Sequence, residues 1–186
     1  MSRWALISGN KGDHKPDVVS AIAERLSSMG VSVGGFVQLA RYDARGEKGY
    51  ELLRLRTGER LTLALGGVAA KKVSEEAFCS YAFDNDAFAR AERWIEEDVA
   101  ARCRLLVLDD ISKLEVQGKG HARSLAYALS RQADQVVLIS ARASQLFYVV
   151  ENFGLEDDPV DALELPVDDA AKERFVRALA RACLEG

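Results

Sequence analysis

The spacing of apolar positions changes from block to block along this chain, and the spacing predicts the elements. Trp4 to Ser8 is a short apolar run closed by Gly9, the pattern of a buried strand. Pro16 to Met29 places Val18, Val19, Ile22, Ala23, Leu26 and Met29 at helical intervals. Pro16 suits the first helical turn and Gly30 the stop. Val31 to Leu39 reads as a second strand with a glycine pair inside. Tyr42 to Lys48 is turn-like. Gly49 to Arg56 and Arg60 to Leu65 partly alternate around Thr57-Gly58, which predicts a hairpin. Gly66 to Glu76 reads as a flexible connection.

The second half keeps the rhythm. Asp84 to Arg102 predicts a helix capped by Asp84 or Asp86, with Phe88, Ala91, Trp94, Ile95 and Val99 on one face. Arg104 to Asp110 is an apolar strand ending in two acids. Ala122 to Ala133 predicts a helix, Gln135 to Ser140 a buried strand, Ser144 to Phe153 a helix and Ala162 to Leu165 a short strand. Asp168 to Leu184 closes the chain as a helix with acids at its start. Strands alternating with helices imply right-handed crossovers and a mainly parallel sheet. No repeat, low-complexity tract or linker interrupts this order, so residues 1–186 read as a single domain.

Composition agrees and narrows the function. At 186 residues, 48% hydrophobic and 29% charged, the chain has the material for a buried core. Net charge is −4, from 25 basic and 29 acidic side chains, so no broad basic surface for nucleic acid is expected. A local anion site needs only a few donors and is compatible with that total. Cys79, Cys103 and Cys183 lie far apart without a CxxC pair, which argues against a disulfide framework or a cysteine zinc site and for a reducing compartment. The start lacks the apolar run of a signal peptide, and no run reaches the roughly 18 apolar residues of a membrane span. A cytoplasmic protein without membrane or nucleic-acid partners is expected.

Two stretches carry candidate chemistry. The first is SGNKGDHKPDVV, from Ser8 to Val19, between the first strand and the first helix. A phosphate-binding loop follows GxxxxGK[ST] in that context. Gly9, Asn10, Lys11, Gly12 and Asp13 begin the pattern. His14 stands at its second Gly, Lys15 at its Lys, and Pro16 at its hydroxyl residue. Pro16 offers neither a hydroxyl for Mg²⁺ nor an N–H for phosphate, and it is expected to push Lys15 away from helical backbone angles. What remains is Lys15, Lys11, free loop amides and a helix N-terminus. The competing reading is an ordinary polar strand-to-helix turn.

The second stretch is RLLVLDDISKLEVQGKG, from Arg104 to Gly120. In P-loop proteins a buried strand ends in an Asp that holds Mg²⁺ directly or through water. Asp109 takes that place, and Asp110 the place of the residue that orients the attacking water. Two acids merely facing solvent at a strand end is the competing reading. Together with its neighbours the stretch resembles the nucleoside-triphosphatases first described from thermophiles, a branch of the P-loop superfamily. Asp109 to Val116 with Gly118 and Gly120 matches that family's DEIGKLEL.G.G run, with Ser112 in place of its Gly. Gly34 to Gln38 (GGFVQ), GYELLRLRTGERLTLA, Tyr81-Ala82-Phe83 and the strand VVLISAR ending at Arg142 match as well, in order, over roughly residues 3 to 155.

The resemblance implies an α/β, P-loop NTPase-like three-layer sandwich with a mainly parallel central sheet and an inserted β-hairpin. It implies Mg²⁺ with ATP or GTP as cofactor and substrate, Lys15 on the β- and γ-phosphates, Asp109 on the metal and Asp110 positioning water. His14 and Pro16 depart from the pattern, so the expectation is a protein that binds a nucleoside triphosphate or other small anion with weak or no hydrolysis. The alternatives are an active Mg²⁺-dependent triphosphatase and a non-catalytic scaffold acting through a protein partner. The chain is also similar to a sister group of domains of unknown function found with molybdate-transport genes, which implies metal-related physiology. Arg142 stands where it could reach a phosphate or form a surface salt bridge. Lys113, Lys119 and Arg123 could form a small anion patch or a solvated loop. His14 and His121 are expected in solvent, since no ligand spacing supports a His/Asp metal site.

Overall fold

The computed structural model describes residues 2–66, 81–130, 134–155 and 159–185. Strand β1 (Arg3–Gly9) leads through the loop to α1 (Lys15–Ser28). Next come β2 (Val33–Tyr42), β3 (Lys48–Arg54), β4 (Arg60–Gly66) and β5 (Tyr81–Phe83). The chain continues through α2 (Asn85–Ala100), β6 (Leu105–Ile111), α3 (Lys113–Val116), α4 (Ala122–Leu129) and β7 (Val136–Arg142). A 3₁₀ turn at Ala143–Gln145 then precedes α5 (Leu146–Asn152), β8 (Ala162–Glu164) and α6 (Asp169–Leu184). The expected connection over residues 67–76, Cys79 and the end of the predicted helix at 131–133 lie outside the described residues.

The eight strands form one sheet in the order β5-β4-β3-β2-β6-β7-β1-β8. The five from β2 to β8 in that order pair in parallel, while β2, β3, β4 and β5 pair antiparallel as an extension at one edge. Alternation along β1 divides the core. Trp4 and Leu6 face the layer containing α2 and α4, and Ala5 and Ile7 face the layer containing α1 and α6. Parallel strands covered on both faces explain why RLLVL and VVLIS are continuous apolar runs rather than alternating ones. The sandwich is therefore three-layered, with the predicted hairpin as β3–β4.

Most predicted elements form within a residue or two of their expected ends. Asp84, not Asp86, caps α2, its carboxylate accepting from the Asp86 N–H at 2.9 Å. Tyr81–Phe83 forms a short strand, and Lys113–Val116 a short helix, that spacing did not predict. Three or four residues are too few to show a period, and β5 exists only because β4 offers it an edge.

The antiparallel edge is fastened to the parallel core by a buried charge. Asp98 of α2 is fully buried and meets Arg54 at 2.6 Å and Arg56 at 2.5 Å, and it accepts from the Gly35 N–H at 2.8 Å. The glycine pair of β2 is the complement of this contact. A Cβ on Gly34 would stand 2.7 Å from the Asp98 Cβ, and one on Gly35 would stand 2.0 Å from the Val107 carbonyl. A charge removed from water this completely is tolerated only when paired and hydrogen-bonded.

Candidate anion-binding site

Both candidate stretches end at the carboxyl edge of the parallel strands, where an open α/β sheet forms its crevice. The loop strand and the acid strand are not neighbours in the sheet. β7 lies between β1 and β6, and its last residue, Arg142, pairs in register with Gly9. The crossover from β6 through α4 returns the chain to that central slot. Arg142 is thereby held beside Gly9, and it lines a cleft that also takes in Asp109 and Asp110.

Two positions of the loop take the left-handed conformation that favours glycine, one of them without a glycine. Gly12 has φ +99°, and His14, at the position of the second Gly, also adopts the left-handed conformation with φ 52° and ψ 38°. That conformation is costly for a side chain with a Cβ. The His14 ring stays exposed at the rim, 3.5 Å from the Asp17 carboxylate, and does not fill the loop. Gly9 is needed for close approach, because a Cβ there would stand 3.1 Å from Leu165 and 3.2 Å from the Asp13 carboxylate. That carboxylate turns back into the loop and accepts from the Asn10 N–H at 2.5 Å.

Pro16 does not displace Lys15 from the helix, contrary to expectation. Helix α1 begins at Lys15, with the Asp17 and Val18 N–H groups donating to the His14 carbonyl. The first amides of a helix have no partner within it, so a proline in the first turn breaks no hydrogen bond. Lys15 itself is buried.

At the end of β6 the acids are locked in a small network. Asp109 is fully buried; its carboxylate accepts from the Gln38 N–H at 2.9 Å and from the Ser140 hydroxyl. Ser140 in turn accepts from the Asp110 N–H at 3.0 Å, and the Gln38 side-chain amide donates to the Asp110 carboxylate at 2.9 Å. Asp110 has φ 59°, an unusual conformation for an aspartate inside a strand. Burial pushes the Asp109 carboxyl up to about 6, helped by the neighbouring Asp110 charge and opposed by Ser140, Gln38 and Lys15. Burial also raises Asp110, against the opposing pull of Lys15 and Arg142. Lys15 and Arg142 thus act electrostatically on the same acids that the sequence singles out.

These groups line one open cleft of about 580 Å³, which takes in Asn10, Lys11, Gly12, His14, Lys15, Asp109, Asp110 and Arg142. Asp13 lies within the loop, its carboxylate turned inward. Gln38 and Ser140 organise the acids, and sequence reasoning did not assign them a role. A Gln ending GGFVQ and a Ser ending VVLIS gave no chemical signal, since each acts through an acid distant in the chain. His121 corrects another expectation: it is buried, 2% exposed, not in solvent. Of Lys113, Lys119 and Arg123, read as an anion patch or a solvated loop, Arg123 pairs with Glu92 of α2 at 3.1 Å.

The DISKLEVQGKG run has a structural logic of its own. Glu115 is buried and accepts from the Ser112 and His121 N–H groups, both at 2.9 Å, joining the start of α3 to the start of α4. Gly118 and Gly120 take positive φ, and a Cβ on Gly120 would stand 2.3 Å from a Glu115 oxygen. Burial pushes the Glu115 carboxyl up to about 7.

Among the described residues no three His, Cys, Asp or Glu side chains converge as a metal site. A cation here would depend on oxygens brought by an anion. Mg²⁺ commonly takes one or two carboxylates and completes its shell with phosphate and water. Asp110, partly exposed, and Asp109 behind it fit that role. No helix among the described residues is long and apolar enough to cross a membrane.

A strand–loop–helix beside acids at the end of a parallel strand, in this strand order, defines a P-loop NTPase-like α/β protein. The chain belongs to the family described as "Protein of unknown function (DUF2478)", whose model matches residues 4–151. It is 26% identical over 113 residues to the nucleoside-triphosphatase THEP1 of Methanocaldococcus jannaschii; the alignment covers 61% of this chain and 64% of that protein. The solution structure of a human cancer-related nucleoside triphosphatase superposes with a TM-score of 0.72 at 20% identity, covering 100% of this chain and 99% of that one. THEP1 from Aquifex aeolicus superposes with a TM-score of 0.64 at 18% identity, covering 94% and 95%. The two solved structures share the fold of this chain.

Proposed function

We propose that the cleft binds a nucleoside triphosphate, ATP or GTP, or another small anion together with Mg²⁺, and that hydrolysis there is weak or absent. The observation that carries this reading is the convergence of Lys15 and Arg142 with Asp109 and Asp110 in one cleft at the sheet's carboxyl edge. Lys15, Arg142 and the amides of Gly9 to Lys15 would bind the anion, and Asp109 and Asp110 the cation. Asp110 is also the group placed to position water. Three features argue for slow chemistry. Pro16 supplies no hydroxyl to the metal. His14 brings a Cβ and a ring to the loop. The Asp13 carboxylate already takes the Asn10 amide that a phosphate would need. Phosphoryl transfer depends on positioning and charge, so losing a ligand and a donor is expected to cost about 10² to 10⁴ in rate.

One observation favours the active reading. Asp110 holds a left-handed backbone inside a strand, and such strain costs about 1–3 kcal/mol and gathers at functional sites.

The test is thermal unfolding with Mg-ATP, Mg-GTP and molybdate, paired with phosphate release. A ligand at 100 times its dissociation constant adds about 2.7 kcal/mol, which raises Tm by about 5–10 °C in a chain of this size. The double variant His14→Gly, Pro16→Thr should deepen the nucleotide shift or quicken phosphate release. A chain whose Tm ignores every anion, before and after that restoration, is a scaffold.

A further inference from the structure

The cleft has a second bank, which neither the loop nor the acids supply. Strand β2 pairs with β6 only as far as Phe36, and its remaining residues to Tyr42 pair with β3 alone. Tyr42, Lys48 and Tyr50 of this hairpin line the same cleft as Lys15, Asp110 and Arg142. Lys48 lies opposite Tyr42 in register and two residues before Tyr50, so the period of two sets all three on one face.

Lys48 is held in place without being neutralised. Its Nζ stands 5.3 Å from the centre of the Tyr50 ring, and Tyr81 packs edge-on against that ring at 5.1 Å. A cation–π contact steadies an ammonium and leaves its charge in place. Glu51, an acid of the same strand that also lines the cleft, is taken by Arg60.

Two titratable groups feel this cation. Burial raises the Asp110 carboxyl, and Lys15, Arg142 and Lys48 all oppose the rise. Burial and the neighbouring Tyr50 raise the Tyr81 hydroxyl, and Lys48 and Lys11 oppose it. The hairpin lysine therefore shares Asp110 with the helix lysine and Tyr81 with a loop lysine. Strands β2, β6 and β7 lie between β1 and β3, so Lys48 comes to Asp110 from the side opposite the loop.

This placement gives Lys48 a task that Lys15 cannot perform. Phosphates lying on the loop and Lys15 present their terminal group toward the metal-binding acids. Strand β3 lies two strand spacings from β6, about 10 Å. A lysine there meets the end of an anion that extends past the acids, and a shorter anion seated on the loop stays clear of it. We propose that Lys48 is a further anion-binding residue, gripping the terminal group of an elongated oxyanion, a triphosphate in preference to a diphosphate, while Lys15 and the loop hold its other groups. That role rests on the anion-binding reading and adds to it a selection by length.

The test compares Mg-tripolyphosphate with Mg-pyrophosphate by calorimetry on the full chain. The parent should bind tripolyphosphate more tightly. Lys48→Met keeps the stem and removes the charge. It should weaken tripolyphosphate about tenfold, the worth of one charge-assisted hydrogen bond at a half-buried site, and pyrophosphate about twofold or less. Lys15→Ala should weaken both anions. A measurement without substitution reads the same contact: the Lys48 side-chain NMR signals should move with Mg-tripolyphosphate and stay in place with Mg-pyrophosphate. The proposal is overturned if those signals ignore tripolyphosphate, if Lys48→Met binds tripolyphosphate as the parent does, or if it weakens both anions equally. That last result would make Lys48 part of a general positive field. In each of these cases the parent still binds, and the anion-binding reading stands. A parent that binds neither anion ends that reading, and the role of Lys48 with it.

Discussion

Replacing Asp109 with asparagine should make the protein more stable and poorer at binding anions. The Asp109 carboxyl titrates near 6 instead of its ordinary 3.8, chiefly because it is buried. At neutral pH the folded chain therefore carries a charge it would rather not have, a penalty of about 3 kcal/mol at 1.36 kcal/mol per unit. Asparagine removes the charge and keeps the shape. Its oxygen can accept from the Gln38 N–H, and its amide can donate to Ser140, which must then turn its own hydroxyl elsewhere at a cost of about 1 kcal/mol. The balance is a gain of about 1–2 kcal/mol, or about 2–8 °C in Tm.

The pH dependence has a definite sign. A raised folded pKa means that the native state binds the proton more tightly, so the Asp109 contribution to parental stability falls as pH rises from about 4 to about 6 and then levels. The asparagine variant lacks that decline. Its advantage should grow through the same interval and hold above it. Calorimetric melts from pH 4 to 8, with and without Mg-ATP, measure both halves of the argument. Higher Tm with a lost ligand shift identifies a carboxylate kept for function at the expense of stability. A Tm several degrees lower, with the ligand shift intact, would show that Asp109 is a structural acid and refute the reasoning.

Asp98→Ala should cost about 3–5 kcal/mol, because it leaves Arg54 in a buried site without its buried partner and orphans the Gly35 N–H; an unchanged denaturant midpoint would contradict this. Gly35→Ala should destabilise comparably or prevent folding, since its Cβ meets the Val107 carbonyl at 2.0 Å and its φ is +85°; soluble expression and thermal melting report it. Glu115 is raised from 4.5 to about 7 by burial, so it too should take stability away as pH rises between those values. Glu115→Gln should flatten that part of the stability curve, and a slope equal to the parent's would show that Glu115 does not titrate there.

Much of the architecture could be read locally. The periods of Pro16–Met29 and Asp84–Arg102, and the apolar runs RLLVL and VVLIS, reflect which faces each element buries. A β–α alternation then restricts the sheet to a few arrangements. The two candidate stretches could be singled out for the same reason, since each is contiguous with its own context, and the structure brings them to one cleft. What could not be read were relations between distant residues. Nothing in the spacing shows that β7 enters between β1 and β6 and so carries Arg142 to the side of Gly9. The roles of Gln38 and Ser140 arise only where three strands end together.

The sequence by itself determined the element order and the sheet class, and it singled out the two segments proposed for phosphate and metal chemistry, because those depend on neighbouring residues. Tertiary structure decided which charges share a cleft, why His121 is dry and neutral, and how Asp13 folds into its own loop. Those outcomes depend on burial and on distances of a few ångströms between residues far apart in the chain, and no local pattern encodes them.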